Sequence, residues 1–500
     1  MKRLGLTVAK NGLANIVRGC ATAAVALALP HFLTRALDHD RFSAWALMLQ
    51  LAAYASYLDF GLQTAVARYL AQAIERNDIQ QRNKLISTAF LLLAAAGVLA
   101  FAIVGGMVLI LPHLFHQIPP ALDRELRLGL LVLAANAALM LPLSTFTGIL
   151  IGLRRNELPA LAIGGSRILG AIAVIAASSF TQSLVWLAVC LAMFSVLGGL
   201  IQWMMAKHQL PDLVLQRKYL DRGMMRELLH YCSGLTVFSL AMLFISGLDV
   251  TIVGYFTFSA VGYYAIASTA ITFVAGLSNA VFAAMMAPVA VLQARGELTR
   301  IRDLVIRMTR LSSYASLAIT LPAFVYGYAA LKLWVGSAYA VQALPILEIL
   351  LVAQAIRLIA NSNSTMLIAT GQQQYGILVA VIEAVSNVVL SIAGAIWLGP
   401  IGVAWGTLIG ASVSIISIFP FTMRWAKEVP IPALRFFREG ILLPLLASSP
   451  VILCLILLKT QNPTSKTLKL LVLATVFSVL LAVFSRRLSP ALPKSGSPAV

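Results

Sequence analysis

The chain has 500 residues, 60% of them hydrophobic and 11% charged, and a mean hydropathy of +0.90. A soluble enzyme is excluded, because no stretch between apolar runs exceeds about 25 residues and a catalytic globular domain needs roughly 50 to bury its own core. The net charge of +19 does not point to nucleic acid, since excess Lys and Arg in a membrane chain act as topology determinants and contacts for anionic lipid.

In chain order, the apolar runs predict an all-α polytopic membrane protein of about fourteen transmembrane helices. The predicted spans are 11–34, 42–61, 86–112, 127–151, 159–180, 183–204, 229–253, 259–291, 309–333, 342–368, 375–398, 401–423, 440–458 and 468–485. The run 259–291 is too long for one straight crossing, so part of it should extend past the bilayer or kink near Pro288. Lys and Arg collect in the loops of one face: Lys2 to Lys10, Arg68 to Lys84, Arg154/Arg155, Lys207 to Arg226, Arg295 to Arg310, Arg424 to Arg438 and Arg486 to Lys494. By the positive-inside rule that face is cytoplasmic and carries both termini. Only the last outer loop, with Lys459, Lys466 and Lys469, opposes the bias. All seven tryptophans fall near predicted span ends, the level their amphipathic rings prefer. Met1-Lys2-Arg3 leads into a long span without a small-residue cleavage site, which argues against a removed signal peptide.

Comparing the chain with itself gives a weak repeat. Phe42-Ser43-Ala44 matches Phe258-Ser259-Ala260, Gly61-Leu62-Gln63-Thr64-Ala65 matches Gly276-Leu277-Ser278-Asn279-Ala280, and Gly152 beside Arg154/Arg155 matches Gly371 beside Gln372/Gln373. The displacement corresponds to six helices, an even number, so both copies keep one orientation and enclose a midplane cavity. The expected organisation is a six-helix half over 1–206, a cytoplasmic linker over 207–228, a second six-helix half over 229–425, an extra helix pair over 426–487 and a cytoplasmic tail over 488–500.

Ionisable residues at bilayer depth are costly and line cavities or pair. In the tenth span Gln354, Arg357, Asn361 and Ser364 form one polar stripe. Arg357 and Glu383 fall at similar depth on either side of an inner turn, so an ion pair stapling two helices competes with a substrate contact; Glu348 is about half a turn away from that stripe. In the first half Arg18 and Arg167 find no acid at similar depth, and Arg18 shares a helix face with Asn11 and Asn15. Arginines lining a wet cavity attract an anion and suit phosphate oxygens, although Arg18 could instead snorkel to the inner headgroups. Asp59 reads most simply as a helix cap or turn residue and Asp249 as an outer-boundary residue, each with a second reading as a functional carboxylate. His113 and His116 lack further ligands, so no metal is expected, and no cofactor. The cysteines Cys20, Cys190, Cys232 and Cys454 lie in apolar runs and read as small buried hydrophobes. No phosphate-binding GxxxxGK[ST] loop or catalytic constellation is present, so the chain is not expected to be an enzyme.

Leu58-Asp59-Phe60-Gly61-Leu62 running into Ala67-Arg68-Tyr69-Leu70-Ala71 resembles the second-helix signature of the Wzx-type polysaccharide flippases of the multidrug/oligosaccharidyl-lipid/polysaccharide exporter superfamily. Leu248 to Phe256 with Val261 to Tyr264, and Asn387 to Leu390 with Gly399 to Gly406, are similar to the same family. The resemblance covers about residues 10–425. It implies translocation of undecaprenyl-diphosphate-linked oligosaccharides across a bacterial inner membrane by alternating access, for O-antigen, capsule or exopolysaccharide assembly. It further implies H+ or Na+ as coupling ion, membrane lipids around the chain, and a polysaccharide polymerase and chain-length regulator as protein partners. The resulting site expectation is a cationic cavity of Arg18, Arg167, Arg357, Asn15, Gln354 and Asn361, with Glu383, Asp249 and Asp59 as coupling or ion-pair carboxylates. Lipid II flippases usually carry a serine-arginine-glycine-arginine pattern that Asn15 to Gly19 does not reproduce, and the drug-exporting branch carries a first-helix acid that Lys10 to Pro30 lacks. These remain the alternatives.

Overall fold

The computed structural model describes residues 24–283, 289, 292–293, 295–370, 372–420 and 431–449. Arg18, Asn15, the kink expected at Pro288, the fourteenth span and the tail lie outside the described residues. Within them every regular element is helical. The helices are α1 Ala24–Ala36, α2 His39–Ala53, α3 Leu62–Glu75, α4 Ile79–Leu114, α5 Pro120–Gly152, α6 Glu157–Ser178, α7 Leu184–Gln209, α8 Arg222–Met242, α9 Asp249–Phe256, α10 Val261–Ala283, α11 Leu298–Val335, α12 Ser337–Ala369, α13 Gln373–Leu398, α14 Pro400–Ile418 and α15 Ala433–Phe437. Among the described residues nine helices are long and apolar enough to cross a membrane, or ten when α8 and α9 are counted as one broken span.

Hydrocarbon is the solvent these helices require. Only 33% of the most apolar window of α4 and 28% of that of α7 is buried inside the protein, and Leu109 and Val98 on α4 are 76% and 71% exposed. Water would penalise that much apolar surface, whereas lipid does not. The chain is a multi-pass membrane protein.

Two predicted spans are built differently from the expected straight helices. The second begins earlier, at His39, where the Asp38 side chain accepts the Arg41 amide at 2.7 Å as an N-cap. Its α-helical part holds 15 residues, about 22 Å at 1.5 Å per residue, too short to cross alone. A 3-10 segment over Tyr54–Asp59 continues it and stops at Phe60 and Gly61, both left-handed at φ 50° and 77°. The turn frees the amphipathic α3 to leave along a new direction, as the sequence Asp59-Phe60-Gly61 suggests. The seventh span is not continuous. After α8 the backbone widens into a π segment over Leu243–Gly247 and then resumes as α9, with a 42° bend between the arms.

The residues group into two compact units. Of the described residues, the first holds those up to 280 together with 331–350 and 380–410, and the second holds those in 281–330, in 351–379 and from 411 onward. In the first unit α4 packs along α5, and α5 and α6 along α7. The linker after α7 is tied to the start of α4: Lys84 Nζ meets Asp221 Oδ2 at 3.2 Å, and the Thr88 hydroxyl accepts the Asp221 amide at 3.3 Å. Asp221 also caps α8 through the Met224 amide at 2.8 Å. That amide first, and Lys84 after it, hold its carboxyl below the usual aspartate range. The second unit has its own apolar core, including Ile301, Val305, Met366, Ile418 and Phe436.

The tightest helix contact lies between α13 and α14 in the first unit. Gly399, at φ 62°, turns the chain between them, and a Cβ on Gly402 would overlap the Gly394 carbonyl group. Close approach of this kind lets helices associate where lipid offers no hydrophobic drive. Gly402→Val should therefore cost at least about 1–3 kcal/mol from overpacking, read as a lowered midpoint of thermal unfolding in detergent. An unchanged midpoint would show that the pair can separate freely.

Candidate functional site

The break in the seventh span creates a chemical problem, because a π segment leaves carbonyls without their normal helical partners at membrane depth. The first unit solves it with side chains from other helices. Gln50 Nε2 and Tyr54 Oη from the second span donate to the Gly247 carbonyl at 2.6 and 2.9 Å, and Tyr54 also bonds the Thr251 hydroxyl. From the other side, Asn387 Nδ2 on α13 donates to the Ile245 carbonyl at 2.8 Å. The Ser391 hydroxyl, one turn further on, donates to Asn387 Oδ1 at 3.0 Å.

Asp249, the first residue of α9, sits against this arrangement and is 7% exposed. Its Oδ2 accepts from the Thr407 hydroxyl of α14 at 3.0 Å and from the Tyr264 hydroxyl of α10 at 3.2 Å. The carboxylate thus stands at a helix start, where the helix dipole favours negative charge. Five segments meet here: the second span, the α8–α9 break, α10, α13 and α14. From its position in the sequence Asp249 is expected at the outer boundary of a span, with a functional carboxylate as the second reading; in the structure it lies in a buried polar cluster. Thr407, Asn387, Ser391 and Tyr264 were not singled out as site residues, although Asn387 and Ser391 carry the helical spacing of four that would have paired them.

Glu383 is also 7% exposed and lies one turn before Asn387 on α13, in the first unit. Glu383, Asn387 and Ser391 therefore follow one helical line. Asp59 ends the 3-10 segment before α3, near the amides of Gly61 and Gln63 and the Ser144 hydroxyl; its Oδ1 is buried without a hydrogen bond, and α3 begins after Gly61 without a side-chain cap. Arg167 is exposed on α6.

The second unit holds the predicted stripe of the tenth span. Gln354 is buried, while Arg357 and Asn361 are half-buried on α12. Beside it runs a hydroxyl line absent from the sequence expectations: Thr309, Ser313, Ser316 and Thr320 on α11, all buried. Thr309 bonds Ser362 of α12 at 2.6 Å, and Ser313 donates to the Gly440 carbonyl at 2.6 Å, within a second π segment, Arg438–Leu442, at the start of the predicted thirteenth span. Spacings of four, three and four could have revealed that line. Among the described residues no three His, Cys, Asp or Glu side chains come together in a metal-holding group.

A polytopic helical chain with a broken span and buried polar side chains at the break has the build of a membrane transporter. The chain belongs to the polysaccharide biosynthesis protein family, whose model matches residues 8–291. Among solved structures it is similar to a lipid II flippase, MurJ, in an inward closed conformation, with a TM-score of 0.72 and 14% identity over 95% of this chain and 99% of that one. It is similar to a multidrug resistance MATE family transporter of the MOP superfamily in an inward-facing conformation, with a TM-score of 0.66 and 16% identity over 83% of this chain and 98% of that one. A MOP superfamily transporter from Pyrococcus furiosus, described as having a binding pocket of reverse polarity, gives a TM-score of 0.56 and 16% identity over 84% of this chain and 96% of that one. At these identities the likeness establishes a shared fold. No curated protein matches the chain in sequence.

Proposed function

We propose that this protein is a flippase that carries undecaprenyl-diphosphate-linked oligosaccharide units from the inner to the outer leaflet of a bacterial plasma membrane by alternating access. The observation that carries the reading is a buried carboxylate, Asp249, at a broken membrane helix in a chain of the polysaccharide biosynthesis family. Such a break can bind or release a cation as its surrounding hydroxyl and amide groups rearrange, and so couple an ion gradient to a change of state. Asp249 is the coupling group in this reading, with H+ or Na+ as the ion. Arg18, Arg167 and Arg357, with Asn15, Gln354 and Asn361, supply the cationic lining that a diphosphate and acidic sugars require. The two six-helix halves rock around that lining, the extra helix pair follows them, and both termini are cytoplasmic. A polymerase and a chain-length regulator act on the exported units.

The test is a reconstituted assay. Proteoliposomes holding the full chain and a fluorescent polyprenyl-diphosphate oligosaccharide are challenged with a membrane-impermeant quencher under an imposed proton or sodium gradient. Gradient-dependent accessibility of the label is the expected result. Movement of lipid II alone, or of a cationic drug alone, would replace this reading with the corresponding alternative.

A further inference from the structure

At one end of the first unit a notch of about 590 Å³ opens between the end of α1 and the turn from α6 into α7. Its walls include Arg35, Ser179, Thr181 and Gln182, and the rings of Phe32 and Phe180. The α6 helix has 22 residues, about 33 Å at 1.5 Å per residue, close to the roughly 30 Å of a bilayer's hydrocarbon layer. The notch at its end therefore falls at the boundary between hydrocarbon and headgroups. Phe180 is 91% exposed and Phe32 45% exposed there.

The polar groups of the notch are held in place. Trp334 presents its carbonyl to His31 Nδ1 at 2.5 Å, which puts the proton on Nδ1 and leaves Nε2 to accept from the Arg35 guanidinium. Gln182 is fixed at both ends, its Oε1 accepting from Arg41 at 2.9 Å and its Nε2 donating to the Ala36 carbonyl at 3.3 Å. The neighbouring carboxylates serve Arg41: Asp38 lies 3.0 Å from it and Glu125 3.9 Å. Arg35 thus brings a positioned guanidinium, which is the group best matched to phosphate oxygens. Hydroxyls beside it suit a polyol, and the two rings suit an apolar stem that continues into the membrane.

We propose that this notch is a binding site for an anionic glycerophospholipid, with the phosphate diester on Arg35, the headgroup hydroxyls on Ser179 and Thr181, and the glycerol backbone against Phe32 and Phe180. The site goes beyond the flippase reading and stands without it, since it needs only a membrane around the chain.

Native mass spectrometry of the full chain, in micelles carrying phosphatidylcholine and increasing phosphatidylglycerol, tests it. One phosphatidylglycerol should be retained in preference to phosphatidylcholine. Arg35→Gln should weaken that retention about tenfold, with partial recovery in Arg35→Lys. Arg154→Gln, which alters an exposed guanidinium paired with Glu75 at the other end of the unit's helices, should leave it unchanged. Ser179→Trp, which fills the notch and keeps the charge, should remove it while the protein still melts normally. Equal retention in Arg35→Gln, an equal loss in Arg154→Gln, or full retention in Ser179→Trp would each overturn the assignment. Displacement of the lipid by millimolar inorganic phosphate alone would also overturn it, by making the site one for a free anion. None of these readouts requires oligosaccharide transport, so a failed flippase assay and a failed lipid site are told apart.

Discussion

Asp249→Asn is expected to abolish the ion dependence of transport and lower its rate at least about tenfold while leaving the protein folded. The substitution keeps the shape of the side chain and its contacts with the Thr407 and Tyr264 hydroxyls but removes the charge that the proposed coupling requires. Hydrogen bonds to a charged group contribute roughly 1.5–3 kcal/mol, against about 0.5–1.5 for neutral ones, which sets the scale of the loss. Thr407→Val should give a smaller defect, because it deletes one donor and leaves the carboxylate. The measurement is the proteoliposome assay repeated with and without the gradient, alongside thermal unfolding of each variant. Gradient-driven transport at the wild-type rate in Asp249→Asn would remove Asp249 from the coupling mechanism.

Arg357→Glu should eliminate export, and Arg357→Ala should weaken substrate engagement by one to two orders of magnitude, the equivalent of about 1.5–3 kcal/mol for a charge-assisted contact. Lysine should rescue in part, since it keeps the charge but loses the planar fork. The competing account makes Arg357 the partner of Glu383 in an ion pair. A doubly substituted protein with Arg357→Glu and Glu383→Arg separates the two, read as exported polysaccharide in cells lacking the native protein and as protein abundance in the membrane. Normal export by the swapped protein, with Arg357→Ala lowering abundance alone, would assign Arg357 a stapling role and end its assignment as a substrate contact.

The sequence by itself determined the solvent and the scaffold. Runs such as 86–112 and 183–204 carry enough apolar residues to cross a bilayer, and burial of α4 and α7 is low because lipid covers the rest. Local chemistry was equally legible where it depends on neighbours in the chain. Asp59-Phe60-Gly61 announced the turn into α3 because left-handed backbone at Gly61 needs no partner from elsewhere. The polar stripe of Gln354, Arg357 and Asn361 could be read from helical spacing alone.

Only the tertiary structure decided where Asp249 sits and what surrounds it. In the sequence it sits near the end of an apolar run, and a boundary residue or a cap explains it cheaply. The widened helix over Leu243–Gly247 has no signature in local composition, since its cost is met by Gln50, Tyr54 and Asn387, which lie roughly 140 to 200 residues away. Thr407 and Tyr264 reach the same carboxylate from two further helices. A buried charge persists only where donors converge on it, and convergence is a property of packing that no single helix encodes.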